Sequence, residues 1–415
     1  VKNLGVDIPG QRSRIGIYVH VPFCTSICSY CDFIKTSRFD RADADVFFER
    51  CLLQLRELLD THFFQEGSCT LYFGGGTPGL FPAERFEPII MEVAKRFEIE
   101  ECTLETNPAL TTAKRFLEFR SIGIDRVTIG AQSLCSNVLQ VFGRRHSPNE
   151  GLDAVRMARA AGFDQVQVDL IYGLRDGERT TRLDDEVRAF VAAGATGISG
   201  YALSLEKRTR LFCSNISDED VAAREYVILQ KTCLELGMKQ NETSNFSFFE
   251  AKHNNIYWHG WPYVGVGTAA HGLTPPGAEY PFGRRYAVGK IRDEISPGND
   301  FLPYKQIAGE LFEVKWEAPR TADDYLHEMI FTLLRTPQGI PFLWLQNHAP
   351  SDVSLVLRQD AKIARACEEG RLFCDEDSLR LLGSEFLLGD SWALHVLAIV
   401  DQMRSDRSKF DHCSP

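Results

Sequence analysis

No window of the 415-residue sequence is apolar and uncharged for long enough to span a bilayer as a helix. That argues against an integral helical membrane protein. An excess of positive charge is also missing. Lys and Arg number 46 against 57 Asp and Glu, leaving a formal net charge of −11. Bulk electrostatics therefore disfavours non-specific nucleic-acid binding. The opening VKNLGVDIPGQRSRIG lacks the apolar core of a secretory signal and starts at Val, so a few residues are expected to precede it. A cytoplasmic location is the expectation. There is no internal repeat or low-complexity tract. Nine of the twelve cysteines (51, 69, 102, 135, 213, 233, 367, 374 and 413) show no framework spacing and read as reduced, small hydrophobes.

What is present is an alternation. Hydrophobic residues make up 44% and charged residues 25%, which is ordinary for a globular chain, and the length calls for two or more domains. Short β-rich runs occupy 15–21, 69–75, 102–107, 126–132, 165–173 and 197–204. Apolar residues at helical spacing separate them, as in DADVFFERCLLQLRELLDTHF and GLDAVRMARAAGF. This β-α order predicts an open, incompletely closed (β/α)6 barrel, a partial TIM-like α/β fold. We divide the chain into a core of 1–240, a barrel-associated segment of 241–319, and a mainly helical, winged-helix-like domain of 320–415. Unusual polar residues end each strand, and the C-terminal ends of parallel strands are where barrel sites form.

The first strand ends in Cys24-Thr-Ser-Ile-Cys28-Ser-Tyr-Cys31. Three thiolates fall short of the four ligands of a structural zinc site. They suit three corners of a [4Fe–4S] cube, with the fourth iron open to an outside ligand. S-adenosylmethionine offers an amine and a carboxylate for that corner. The glycines of Gly74-Gly75-Gly76-Thr77-Pro78 permit close approach and can present N–H groups to its carboxylate. Glu105 or Asp169 can accept from its ammonium or ribose. Gln132 and Arg144 can hold its carboxylate or ribose, although Arg144, beside Arg145, reads equally well as a solvated charge.

The segments YVHVPFCTSICSYC, YFGGGTP, LETNP, IGAQS and DLIYGL resemble the radical S-adenosylmethionine superfamily. Within it they resemble the branch of oxygen-independent coproporphyrinogen III oxidases and HemW-type haem chaperones. The resemblance implies Cys24, Cys28 and Cys31 as cluster ligands. It implies Tyr18, Tyr30, Gly75, Gly76, Thr77, Glu105, Gln132, Arg144, Asp169 and Ala202 as S-adenosylmethionine contacts.

Two departures point to the chaperone group. The oxidases carry a fourth cysteine two positions after the third, where this chain has Phe33, and they carry a long extension before the motif. The stretch His253-Asn-Asn-Ile-Tyr257-Trp258 also resembles the HNxxYW motif associated with haem binding. The resemblance implies haem as a third bound group, with His253 as a candidate axial ligand. A histidine hydrogen-bonded within an aromatic loop is the other reading of His253. Tyr257, Trp258, His259, Trp261 and Tyr263 are candidates to pack the porphyrin, and Arg284 and Arg285 to pair with its propionates. His259 and His271 read as packing or polar residues. Ala269 stands where glycine is expected in GVGTAAHG. The implied partners are a haem-acceptor protein and an electron donor. No catalytic residue is assigned, and radical decarboxylation of coproporphyrinogen III propionates is the alternative activity.

Overall fold

The six β-rich runs all form strands, and they pair side by side in chain order. In a computed structural model, residues 14–61, 67–289 and 312–411 are described, with side chains to 406. The strands are β1 (Ile15–Val21), β2 (Gly67–Gly75), β3 (Phe97–Thr106), β4 (Arg126–Gln132), β5 (Gln165–Tyr172) and β6 (Gly197–Ala202). Every neighbouring pair is parallel. Helices occupy the connections: α1 (Arg41–Leu59), α2 (Glu87–Ala94), α3 (Ala113–Ser121), α4 (Ser136–Val141), α5 (Pro148–Ala160) and α6 (Leu183–Ala193). After β6 comes α7 (Glu219–Glu235).

Strand periodicity sets the layers. In β1, Ile17, Val19 and Val21 are fully buried in the core cluster that also holds Phe47, Cys51 and Leu55 of α1. Burying one such side chain stabilises the fold by about 1.5–3 kcal/mol. Tyr18 and His20, on the other face, line the barrel cavity. α1 begins at a reciprocal capping box, in which the Asp40 side chain accepts from the Asp43 N–H and Asp43 accepts from the Asp40 N–H.

The sheet does not stop at six strands. β7 (Lys239–Gln240) and β8 (Asn245–Ser247) extend the β6 edge. α8 (Lys252–Trp258) follows, and then β9 (Tyr263–Val266) pairs parallel with β1. The strands β10 (His271–Leu273), β11 (Arg285–Val288) and β12 (Val314–Trp316) continue that edge antiparallel. Among the described residues, the result is a 12-stranded sheet whose two edges are the short strands β7 and β12, an open barrel.

Beyond β12, α9 (Ala322–Leu333) is followed by β13 (Ile340–Pro341), α10 (Phe342–His348), α11 (Val353–Gln359) and α12 (Ala361–Glu368). A hairpin of β14 (Leu372–Cys374) and β15 (Ser378–Leu381) and the long α13 (Gly389–Asp411) are the last described elements. The run from Val353 to Glu368 forms two helices rather than one. Asp360 is extended, at ψ 126°, and its carboxylate caps the N–H groups of Lys362 and Ile363. Among the described residues, no helix is long and apolar enough to cross a membrane.

Candidate functional site

The register carries two motifs to one place. Val21 lies opposite Gly75, so the cysteine loop and the glycine turn leave the sheet at the same level. The loop is tied down along its length. Cys24 N–H donates to Thr36 O (2.9 Å), Ser29 N–H to Phe142 O (3.0 Å), and Leu211 N–H to Ser29 O (3.2 Å). His20 Nε2 meets Ile34 O at 2.8 Å, and Lys35 Nζ donates to the carbonyls of Cys31 and Phe33, both at 2.8 Å. Burial lowers the His20 ring to about 4, so it acts as a neutral strut.

All three cysteines line one cavity of about 740 Å³, towards the upper end of the usual range for small-molecule sites. Burial pushes the Cys24 thiol up to about 12 and also raises Cys31. Bare thiolates at Cys24 and Cys31 are therefore disfavoured, and the cationic core of an iron–sulfur cluster would offset that cost. Among the described residues, no three His, Cys, Asp or Glu side chains converge as a preformed single-ion site.

A hydrogen-bonded chain joins two of the sulfurs. Thr77 Oγ1 donates to Cys24 Sγ (3.6 Å), and Asn107 Nδ2 donates to Thr77 Oγ1 (3.2 Å). Arg144 then donates to Asn107 Oδ1 (2.6 Å) and to Cys28 Sγ (3.4 Å). Burial alone would lower Arg144, but Tyr30, Cys28 and Cys24 hold its affinity for the proton above the ordinary value. Asn107 lies in the LETNP segment, and the sequence alone gives it no role. Its only signal there was its position at the C-terminal end of β3.

The glycine turn differs from its expected role. Gly75 N–H donates to Glu105 Oε2 (3.1 Å), and Gly76 N–H donates to Val21 O (2.8 Å). Both donors are spent within the protein rather than aimed at a ligand. The glycines are needed for space. A Cβ on Gly75 would lie 2.6 Å from the His20 ring, and one on Gly76 would lie 2.7 Å from Phe23 O.

Polar groups from the neighbouring strands face the same cavity. Asp169 Oδ1 and Thr128 Oγ1 are buried with no hydrogen-bond partner among the described residues. Burial, then the nearby Glu105, pushes the Asp169 carboxyl up to about 7. Glu105 is raised by burial against the opposing effect of the Tyr72 hydroxyl, which donates to it at 2.8 Å. Gln132 adopts a left-handed φ of 70°, uncommon for a residue with a side chain. Tyr18, Tyr30, Thr77 and Ala202 also line the cavity. Orphaned acceptors and three thiols around one cavity fit a cluster with a charged nucleotide-like ligand beside it.

The far wall departs from expectation. Tyr257, Tyr263, Ala269 and His271 line the cavity, as do Phe33 and Tyr201, whereas His253 does not. His253 is 1% exposed. Its Nδ1 meets Thr70 Oγ1 at 2.7 Å, and its Nε2 meets the Tyr257 hydroxyl at 2.8 Å. Its ring stacks on Tyr72, and burial lowers it to about 3. With both nitrogens engaged, His253 is not presented as an iron ligand. His259 and Trp261 stack on each other in the core. Trp258 lies under Arg335. Arg285 pairs with Glu328, while Arg284 packs over Tyr280 and Trp316. None of these five residues reaches the cavity wall.

Comparison with known proteins agrees with this geometry. Residues 18–198 match the Radical SAM superfamily. The chain is 36% identical over 279 residues to the "Heme chaperone HemW" of Mycobacterium tuberculosis, covering 64% of this chain and 70% of that protein. This chain belongs to the HemW-type radical SAM family. Its likeness to family members extends along the chain. It is 29% identical over 414 residues to the mitochondrial "Radical S-adenosyl methionine domain-containing protein 1" of Bos taurus, covering 96% of this chain and 91% of that one. The solved coproporphyrinogen III oxidase HemN of Escherichia coli shares the fold, with a TM-score of 0.68 at 17% identity over 92% of this chain and 90% of that one. Family membership accounts for the [4Fe–4S] cluster and S-adenosylmethionine that the donor set fits.

Proposed function

We propose that the protein is a haem chaperone that holds a [4Fe–4S] cluster and S-adenosylmethionine, takes up haem, and passes it to an acceptor protein. One observation carries the reading: the three-thiol loop and a wall of tyrosines and a histidine enclose the same cavity. In this reading Cys24, Cys28 and Cys31 hold three irons. Arg144 and Lys35 offset the negative charge of the loop. Asp169 and Glu105 accept hydrogen bonds from the ammonium or ribose hydroxyls of S-adenosylmethionine. Gln132 orients the nucleotide, and Tyr18 and Tyr30 keep water from the sulfurs. When bound, the cluster supplies an electron to the sulfonium. The phenolic wall of Tyr257 and Tyr263 gives a flat tetrapyrrole apolar contact with hydroxyls at its edge.

We place the protein in the cytoplasm, served by a reductase or flavodoxin-like electron donor. All eleven described cysteines are free, as a reducing compartment keeps them. The test uses anaerobically reconstituted protein. Stoichiometric haem uptake followed by transfer to a haem-free acceptor such as apomyoglobin is the expected result. Formation of protoporphyrinogen from coproporphyrinogen III with reductant and S-adenosylmethionine would overturn it.

A further inference from the structure

The position of His253 leaves an imidazole-ligated haem without its expected donor. The sheet supplies another. β9 runs parallel beside β1, and the hairpin from β9 to β10 turns at the level where the cysteine loop begins. Gly267 packs so closely there that a Cβ would lie 2.7 Å from His20 O. Two residues on, Ala269 is held at a left-handed φ of 63°, the conformation that makes glycine the expected residue. This strained turn ends in His271, the first residue of β10.

His271 is exposed and lines the cavity. No hydrogen bond or ion pair engages its ring among the described residues. The other histidine on the cavity wall, His20, is buried and bonded to Ile34 O and to the Tyr18 hydroxyl. We propose that His271 is the imidazole offered to haem iron, and that His253 is a positioning residue that holds Tyr257 in the cavity wall. Tyr257 and Tyr263, which line the same cavity, meet edge to face at 4.9 Å and form an aromatic wall.

The inference rests on the haem-binding reading, and the experiment separates the two. Full-length, cluster-reconstituted wild type, His271→Ala, His271→Met and His253→Ala are titrated with haem under absorbance and low-temperature electron paramagnetic resonance. Circular dichroism and iron content check folding. Wild type is expected to show an imidazole-ligated signature. His271→Ala should lose that signature and bind haem at least about tenfold more weakly, since disturbing even the partners of a metal ligand costs that much. Added imidazole should restore the signature, and His271→Met should replace it with a thioether one. His253→Ala should keep the imidazole signature. An unchanged signature in His271→Ala, or a phenolate signature in wild type that Tyr263→Phe abolishes, overturns the assignment of His271 but leaves the haem reading standing. Failure of wild type to take up haem overturns both.

Discussion

The cysteine loop and α8 each carry a specific sequence motif, yet the fold treats them in opposite ways. The loop's backbone is tied down, and its sulfurs are left at a cavity beside unpaired acceptors such as Asp169 Oδ1. In α8 the histidine of the motif sits four residues from Tyr257, on one face of the helix, and both its nitrogens are spent on hydroxyls. A ligand motif works as one only where the fold leaves its donor atoms facing a cavity. Where the fold saturates them, the same residues act as structure.

The contrast can be broken most severely at the sulfurs. Replacing any one of Cys24, Cys28 or Cys31 with alanine should reduce cluster iron to background after anaerobic reconstitution, read by iron and sulfide analysis, while the melting temperature of the cluster-free protein stays near that of wild type. His253→Ala should do the reverse. It leaves the Thr70 and Tyr257 hydroxyls unpaired in the core and opens a cavity, costing about 2–4 kcal/mol in chemical denaturation, with cluster iron retained. Asn107→Ala tests the chain between the two sulfurs. It should weaken the hold of Thr77 on Cys24 and of Arg144 on Cys28 by about 1–2 kcal/mol, read as faster cluster loss to a chelator.

Asp169 sharpens the contrast through pH. Its folded value of about 7 lies above its unfolded value, so the fold binds more protons than the unfolded chain between the two. Its contribution to stability is therefore most favourable below the unfolded value and is lost as pH rises towards 7. Asp169→Asn should flatten this part of the slope in denaturation at pH 4–7, and its slope relative to wild type is the readout. The smallest effect is expected at the hairpin. Ala269→Gly relieves a left-handed alanine and should stabilise the protein by about 0.5–1 kcal/mol, measured as a rise in Tm.

Much of the fold was legible because its signals are short-range. The alternation in IGIYVHV and the fully buried run RVTIGAQ mark strands whatever surrounds them. The three sulfurs lie within eight residues, so their chemistry could be inferred from spacing alone. What the local sequence did not show has one cause. His253 is engaged by Thr70, 183 positions away, and Arg144 reaches Cys28 across 116 positions. The N–H groups of Gly75 and Gly76 are taken by partners on β3 and β1. His271 gave no local sign of its orientation, because a three-residue strand has too short an alternation to show which face meets the cavity.

Residue order alone was enough for a parallel α/β barrel, a three-thiolate loop at one strand end, and acidic and glycine-rich segments at the others, since periodicity and spacing act within a few residues. Which donors and acceptors remain open to a ligand was decided only when distant segments met. Hydrogen-bond satisfaction in a buried site is a property of the whole packing arrangement, and no local stretch of chain contains it.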